Sequence, residues 1–261
     1  MGRRPLTGSR AGRYPDSRHG ASDARAGLPR TPTPGAYALT GGVLFDFGGT
    51  LDADGLPWKT RFLRLCREEG LVADLNRFDP IFYAADDALV GTIPATLSLR
   101  DTVERLALDV SRALGGTEVA GRRIADRFLA DVLARIEINR ALLARLHERY
   151  RLGVVSNFYG NLVTVCHNAG IRPFFSVIVD SARVGCEKPD PRIFQRALDE
   201  LGLAPADVVF VGDSGPRDMA GARAIGMRHI WLVGSEAASV TPCCAGDRVL
   251  RTLGELEEAL T

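Results

Sequence analysis

From Tyr150 onward the chain alternates short apolar, β-prone runs with amphipathic stretches, and no other feature narrows its fold so far. Leu152–Val155, Phe175–Val179, Val208–Val211 and His229–Val233 read as strands. The spacing predicts helices from Ser156-Asn157 to Asn168-Ala169-Gly170, and over Asp190–Leu201, Met219–Ile225 and Leu253–Leu260. Pro189 and Pro191 suit a helix start, and Gly226 suits a stop. Strands alternating with helices imply an α/β fold built on a doubly wound parallel sheet.

An earlier run belongs to the same sheet. Val43, Leu44 and Phe45 are unbroken and apolar, as a strand buried on both faces requires. The run stops at Asp46, with Gly48 and Gly49 close behind. Open α/β sheets bind ligands outside the carboxyl ends of their strands. A carboxylate there, beside backbone free to fold tightly, is placed to attack a substrate or to hold a cation.

Between Asp46 and Tyr150 the pattern changes. After the turn-rich Asp52-Ala53-Asp54-Gly55-Leu56-Pro57, residues from about Trp58 to Arg149 read as helices. Phe62, Leu63, Leu65 and Cys66 keep one face apolar, and Leu99–Leu114 and Ile124–Ile138 repeat near the helical period. The expected organisation is an α/β core of residues 39–57 and 139–261, with residues 58–138 as an inserted helical domain. Residues 1–38 hold seven arginines against two aspartates and few apolar side chains, so they read as a disordered extension.

A net charge of +1 offers no broad basic surface for nucleic acid, and no apolar run approaches the roughly 18 residues that span a bilayer. Neither nucleic acid nor membrane is expected as a partner. Five cysteines (Cys66, Cys166, Cys186, Cys243 and Cys244), with no CxxC spacing, read as reduced thiols of a cytoplasmic protein. Lysine occurs only at Lys59, which reads as a surface residue, and at Lys188, in a loop before proline.

Asp46, Ser156, Lys188 and Asp213 all fall after apolar strands, Lys188 by a longer loop, and in a parallel sheet such ends share one edge. Their types suit phosphoryl chemistry. A carboxylate can take a phosphoryl group covalently, while a hydroxyl and an ammonium can hold its oxygens and balance charge. Asp213 with Asp218 offers hard oxygen ligands for Mg²⁺.

Four segments in order carry a resemblance: Asp46-Phe47-Gly48-Gly49-Thr50-Leu51, Val154-Val155-Ser156-Asn157, Gly185-Cys186-Glu187-Lys188-Pro189, and Val211-Gly212-Asp213-Ser214-Gly215-Pro216-Arg217-Asp218. Together they resemble the motifs of the haloacid dehalogenase-like (HAD) hydrolase superfamily, over roughly residues 41–235. The helical insertion is similar to that family's C1-type cap. The resemblance implies Asp46 as nucleophile and Thr50 as support for its loop. It implies Ser156 as a phosphoryl hydrogen-bond partner, with Asn157 beside it, and Lys188 as the charge-neutralising cation. Mg²⁺ would be held by Asp46, Asp213, Asp218 and the Gly48 carbonyl. The implied substrate is a small phosphorylated metabolite.

One position departs from the pattern. Phosphatases of the family usually carry a second aspartate where this chain has Gly48, and that aspartate protonates the leaving alcohol. Asp52 and Asp54 are near enough in sequence to be considered as substitutes. Arg61, Arg64, Arg67 and Arg100 are candidate anion contacts that read better as a solvated face. Two alternatives remain open: a phosphonatase-type hydrolase using Lys59 as a Schiff base, and a binding or regulatory protein without turnover.

Overall fold

The computed structural model describes residues 41–71, 74–235 and 248–261. The expected extension over residues 1–38 lies outside the described residues, as do Cys243 and Cys244. Among the described residues, six strands form one sheet: β1 (Gly42–Phe45), β2 (Arg151–Ser156), β3 (Val177–Asp180), β4 (Val208–Gly212), β5 (Arg228–Leu232) and β6 (Arg248–Leu250). Their order is β3-β2-β1-β4-β5-β6, and every pair is parallel. The order reverses between β1 and β4, the switch point where open α/β sheets form their binding crevice.

β1 is central because its residues tolerate no water on either face. Val43 and Phe45 join an apolar cluster on one side, and Leu44 joins Val155, Phe194 and Phe210 on the other. Phe45 stands level with Val154 on β2 and Val211 on β4, so the next residues of all three strands emerge together.

Among the described residues, four helices lie between β1 and β2: α1 (Trp58–Glu68), α2 (Leu75–Asp87), α3 (Leu99–Ala113) and α4 (Glu118–His147). Ser98 and Thr117 cap α3 and α4 with their hydroxyls, accepting from the amides of Asp101 and Ala120. α4 is a single helix of 30 residues. The boundary expected between residues 138 and 139 falls within this helix. Leu142, Leu143 and Leu146 continue the apolar face begun by Ile124 and Phe128, so one helix runs from the helical block to the sheet.

The remaining helices are α5 (Leu162–Asn168), α6 (Ser181–Val184), α7 (Pro191–Leu201), α8 (Ala220–Ala224) and α9 (Leu256–Ala259). Three expected helices are shorter than the spacing predicts, and the first of them, α5, begins only at Leu162. Gly215–Met219 forms a wider turn ahead of α8, and a 3₁₀ turn over Leu253–Glu255 precedes α9. β6 was not anticipated. It is three residues long and only Leu250 is buried, too little for periodicity to register.

Candidate active site

The chain leaves β1 at Asp46, whose amide still donates to the Val211 carbonyl at 2.9 Å. It then turns tightly through Phe47–Leu51. Gly49 has φ of +89°, and a Cβ there would lie 2.4 Å from Asp213 Oδ2, so residue 49 must be glycine on both counts. The turn brings Thr50, fully buried, towards β4, where its hydroxyl approaches Asp213 Oδ1 at 3.5 Å.

Ser156 ends β2 and donates to Asp46 Oδ1 at 2.7 Å. Lys188 Nζ reaches the same oxygen at 2.7 Å and Asp218 Oδ1 at 2.7 Å. Asn157 explains how a loop lysine is aimed so accurately. Its Oδ1 accepts from the Lys188 amide at 2.7 Å, and its Nδ2 donates to the Lys188 carbonyl at 3.1 Å. The Asn157 amide is thus engaged with the backbone of Lys188 on both sides.

Asp218 is fully buried; its Oδ2 accepts from the Ser214 amide at 2.9 Å. A Cβ on Gly212 would come within 2.4 Å of that oxygen, so glycine is needed there as well. Trp231 on β5 fixes Asp213 by donating to its carbonyl at 2.9 Å. Oxygens of Asp46, Asp213 and Asp218 all lie within 4.8 Å of one another.

Charge in this cluster is unbalanced. Burial opposes the Lys188 cation, but Asp218 and Asp46 outweigh it and hold its ammonium above the usual range. Burial, and then repulsion from Asp46 and Asp218, pushes the Asp213 carboxyl well above its ordinary value. Asp218 is also raised by burial, with Lys188 opposing. Three carboxylates with one ammonium fit a hard divalent cation with oxygen ligands, as Mg²⁺ is. Gly48 lines the same cavity of about 450 Å³.

The two aspartates considered as substitutes are elsewhere. Asp52 is fully buried, accepting from the Gly49 amide (2.7 Å), Trp58 Nε1 (2.6 Å) and Arg61 Nη1 (2.8 Å). Asp54 accepts from the Leu253 amide at 3.0 Å and pairs with Arg135 at 2.6 Å. Both line a second cavity, and neither lines the one that holds Asp46. The reading of Arg61 as solvated is corrected too: it is buried against Asp52 and lies over the Phe128 ring. Arg64 and Arg100 are exposed and pair with Asp131 and Asp126. Lys59, expected on the surface, lines the Asp46 cavity while paired with Asp79 at 2.6 Å. Asp86, Tyr159 and Arg217 share that wall. Asp86 and Tyr159 had no signal in sequence, because a polar residue on an otherwise ordinary helix or loop does not announce which wall it will meet.

The family model for haloacid dehalogenase-like hydrolases matches residues 40–226. The chain belongs to that family. A HAD domain-containing protein 3 from Mus musculus is 38% identical over 112 residues, 42% of this chain and 45% of that protein. A phosphoserine phosphatase from Thermus thermophilus is 32% identical over 134 residues, 49% of this chain and 53% of that one. The chain thus spans about half the length of the curated relatives it matches. Among solved structures, the HAD-hydrolase YfnB from Bacillus subtilis, bound to magnesium, covers 85% of this chain and 99% of its own with a TM-score of 0.54. At 19% identity that likeness shows the fold alone.

Proposed function

We propose that this HAD-like hydrolase is a Mg²⁺-dependent phosphatase acting on a small phosphorylated metabolite, with Asp46 as nucleophile. The observation that carries the reading is the convergence of Ser156 and Lys188 on Asp46 Oδ1, next to Asp213 and Asp218. A carboxylate held so closely by a hydroxyl and an ammonium is oriented before substrate arrives, as attack in a fixed site requires.

In the first step an Asp46 oxygen bonds to phosphorus as the ester P–O bond breaks, and the alcohol departs with a proton. In the second, water bonds to that phosphorus as the Asp46–phosphorus bond breaks, Asp46 leaves as its carboxylate, and the surplus proton of the water passes to solvent. Lys188 balances charge on Asp46 and on the phosphoryl oxygens, and Ser156 donates to one of them. Asn157 acts as a positioning residue for Lys188. Asp46, Asp213 and Asp218, with the Gly48 carbonyl, would hold Mg²⁺, which supplies electrostatic stabilisation to the phosphoryl group. The helices between β1 and β2 would serve as the cap: Phe82 and Tyr83 of α2 line the cavity, and closure over a bound substrate would exclude water.

The phosphonatase reading needs Lys59 as a neutral amine. Its hydrogen bond to Asp79 raises the ammonium above its usual range, which favours the charged form and works against a Schiff base. The deciding experiment is phosphate release from a panel of small phosphomonoesters with and without Mg²⁺, wild type beside Asp46→Asn. Turnover dependent on both is expected; a folded, Mg²⁺-binding protein inactive on every ester overturns the reading.

A further inference from the structure

Gly48 leaves the departing alcohol without a proton donor two residues after the nucleophile, and the neighbouring structure does not restore one. A Cβ on residue 48 would already lie 3.3 Å from Trp58 Nε1, and Asp52 is closed in by its three donors. Among the described residues, four carboxylates line the Asp46 cavity: Asp46, Asp213, Asp218 and Asp86. The first three form the nucleophile and cation cluster. Asp86 does not.

Asp86 sits in the last turn of α2, so it reaches the cavity from the helical block and not from the sheet edge. Displacement at phosphorus is in line: the leaving oxygen departs on the side away from the attacking carboxylate. Asp46 lies at the end of β1, and the wall that the helical block gives its cavity is formed by Trp58, Phe82, Tyr83 and Asp86 of α1 and α2. Asp86 is the carboxyl group on that wall. The Tyr159 hydroxyl donates to its Oδ1 and fixes it, while Oδ2 takes no hydrogen bond from the described residues. Burial raises the Asp86 carboxyl above its ordinary value, with Tyr159 and then Arg217 opposing and Asp87 reinforcing.

We propose that Asp86 is the proton donor to the leaving alcohol, doing from the helical block what the residue at Gly48 cannot, and that Tyr159 is its positioning residue. This rests on the phosphatase reading above. As the ester P–O bond breaks, its electron pair passes to the departing oxygen, which takes the Asp86 proton. Asp86 becomes a carboxylate, and the phosphoryl group is on Asp46.

The test is first-turnover alcohol release, with enzyme in excess and Mg²⁺ present, for glycerol phosphate and p-nitrophenyl phosphate. The nitrophenolate leaves without protonation; the alkoxide does not. Asp86→Asn is expected to slow release from glycerol phosphate by about 10²–10⁴ and from p-nitrophenyl phosphate by less than about threefold, the latter also showing that the variant folds. Asp86→Glu is expected to regain part of the alkyl rate. Tyr159→Phe is expected to give a smaller loss with the same bias toward the alkyl ester. Equal slowing of both esters by Asp86→Asn, with Asp86→Glu no better, overturns the proposal, as does no slowing of either. Wild type inactive on both esters overturns the phosphatase reading itself, a distinguishable result.

Discussion

The indole of Trp58 occupies the space beside Gly48, its Nε1 3.3 Å from where a Cβ on that residue would lie. The indole cannot drift away, because the same nitrogen donates to Asp52 at 2.6 Å. The ring also packs edge-on against Phe128 and Phe158. Glycine at 48 and tryptophan at 58 are therefore packed as one arrangement, and a side chain at 48 requires the ring to give way by a few tenths of an ångström.

Gly48→Asp is accordingly expected to lower stability without restoring proton donation. Forcing extra atoms into a packed site typically costs about 1–3 kcal/mol, which a thermal or urea melt resolves. Alkyl-ester turnover is expected to stay at or below the wild-type rate. A variant as stable as wild type with faster alkyl turnover contradicts the pairing.

Removal of metal should be felt most through Asp213. Its carboxyl is raised well above the ordinary 3.8 by burial and then by Asp46 and Asp218. The folded state then holds a proton that the unfolded chain has released, so stability falls as pH rises from about 4 through the raised value. Without metal, Asp213→Asn is expected to melt higher than wild type at pH 7, because one repelling charge is gone. With millimolar Mg²⁺ the order is expected to reverse, as wild type gains from binding and the variant does not. Melts at pH 5 and pH 7 with and without Mg²⁺ check both signs; a variant that melts lower than wild type without metal refutes the repulsion.

Much of this site was legible in the sequence because strand ends are. Asp46, Ser156 and Asp213 each follow an apolar run, and parallel strands bring such residues to one edge whatever their separation in sequence. Lys188 could be suspected because the chain has only two lysines. Asn157 was legible as a neighbour of the site but not in its part, since the clamp on Lys188 is a contact across 31 positions. Asp52 misled because nearness in sequence to Asp46 was no guide once the turn at Gly49 sent its side chain to the other side. Asp86 lay beyond reach: Ala84-Ala85-Asp86-Asp87 looks like any helix end, and only the packing of α2 over the sheet edge gives it a partner in Tyr159.

Asp52 also yields a test of how the loop after Asp46 is held. Its Oδ1 accepts from the Gly49 amide, the residue whose positive φ turns the loop under Asp213, while Oδ2 receives both Trp58 and Arg61. Arg61 is 3% exposed and Asp52 is fully buried, so each is the other's compensation. Asp52→Asn keeps the shape but offers Arg61 and Trp58 an amide in place of a carboxylate, and leaves a buried guanidinium unpaired. Breaking a buried pair from one side typically costs about 3–5 kcal/mol, so a large drop in melting temperature is expected. If Asp52 acts only through the fold, the surviving folded fraction should lose p-nitrophenyl and alkyl turnover equally, since the loop that shapes Asp46 serves both esters. A selective loss on the alkyl ester, with stability unchanged, would return Asp52 to the role of proton donor and remove it from Asp86.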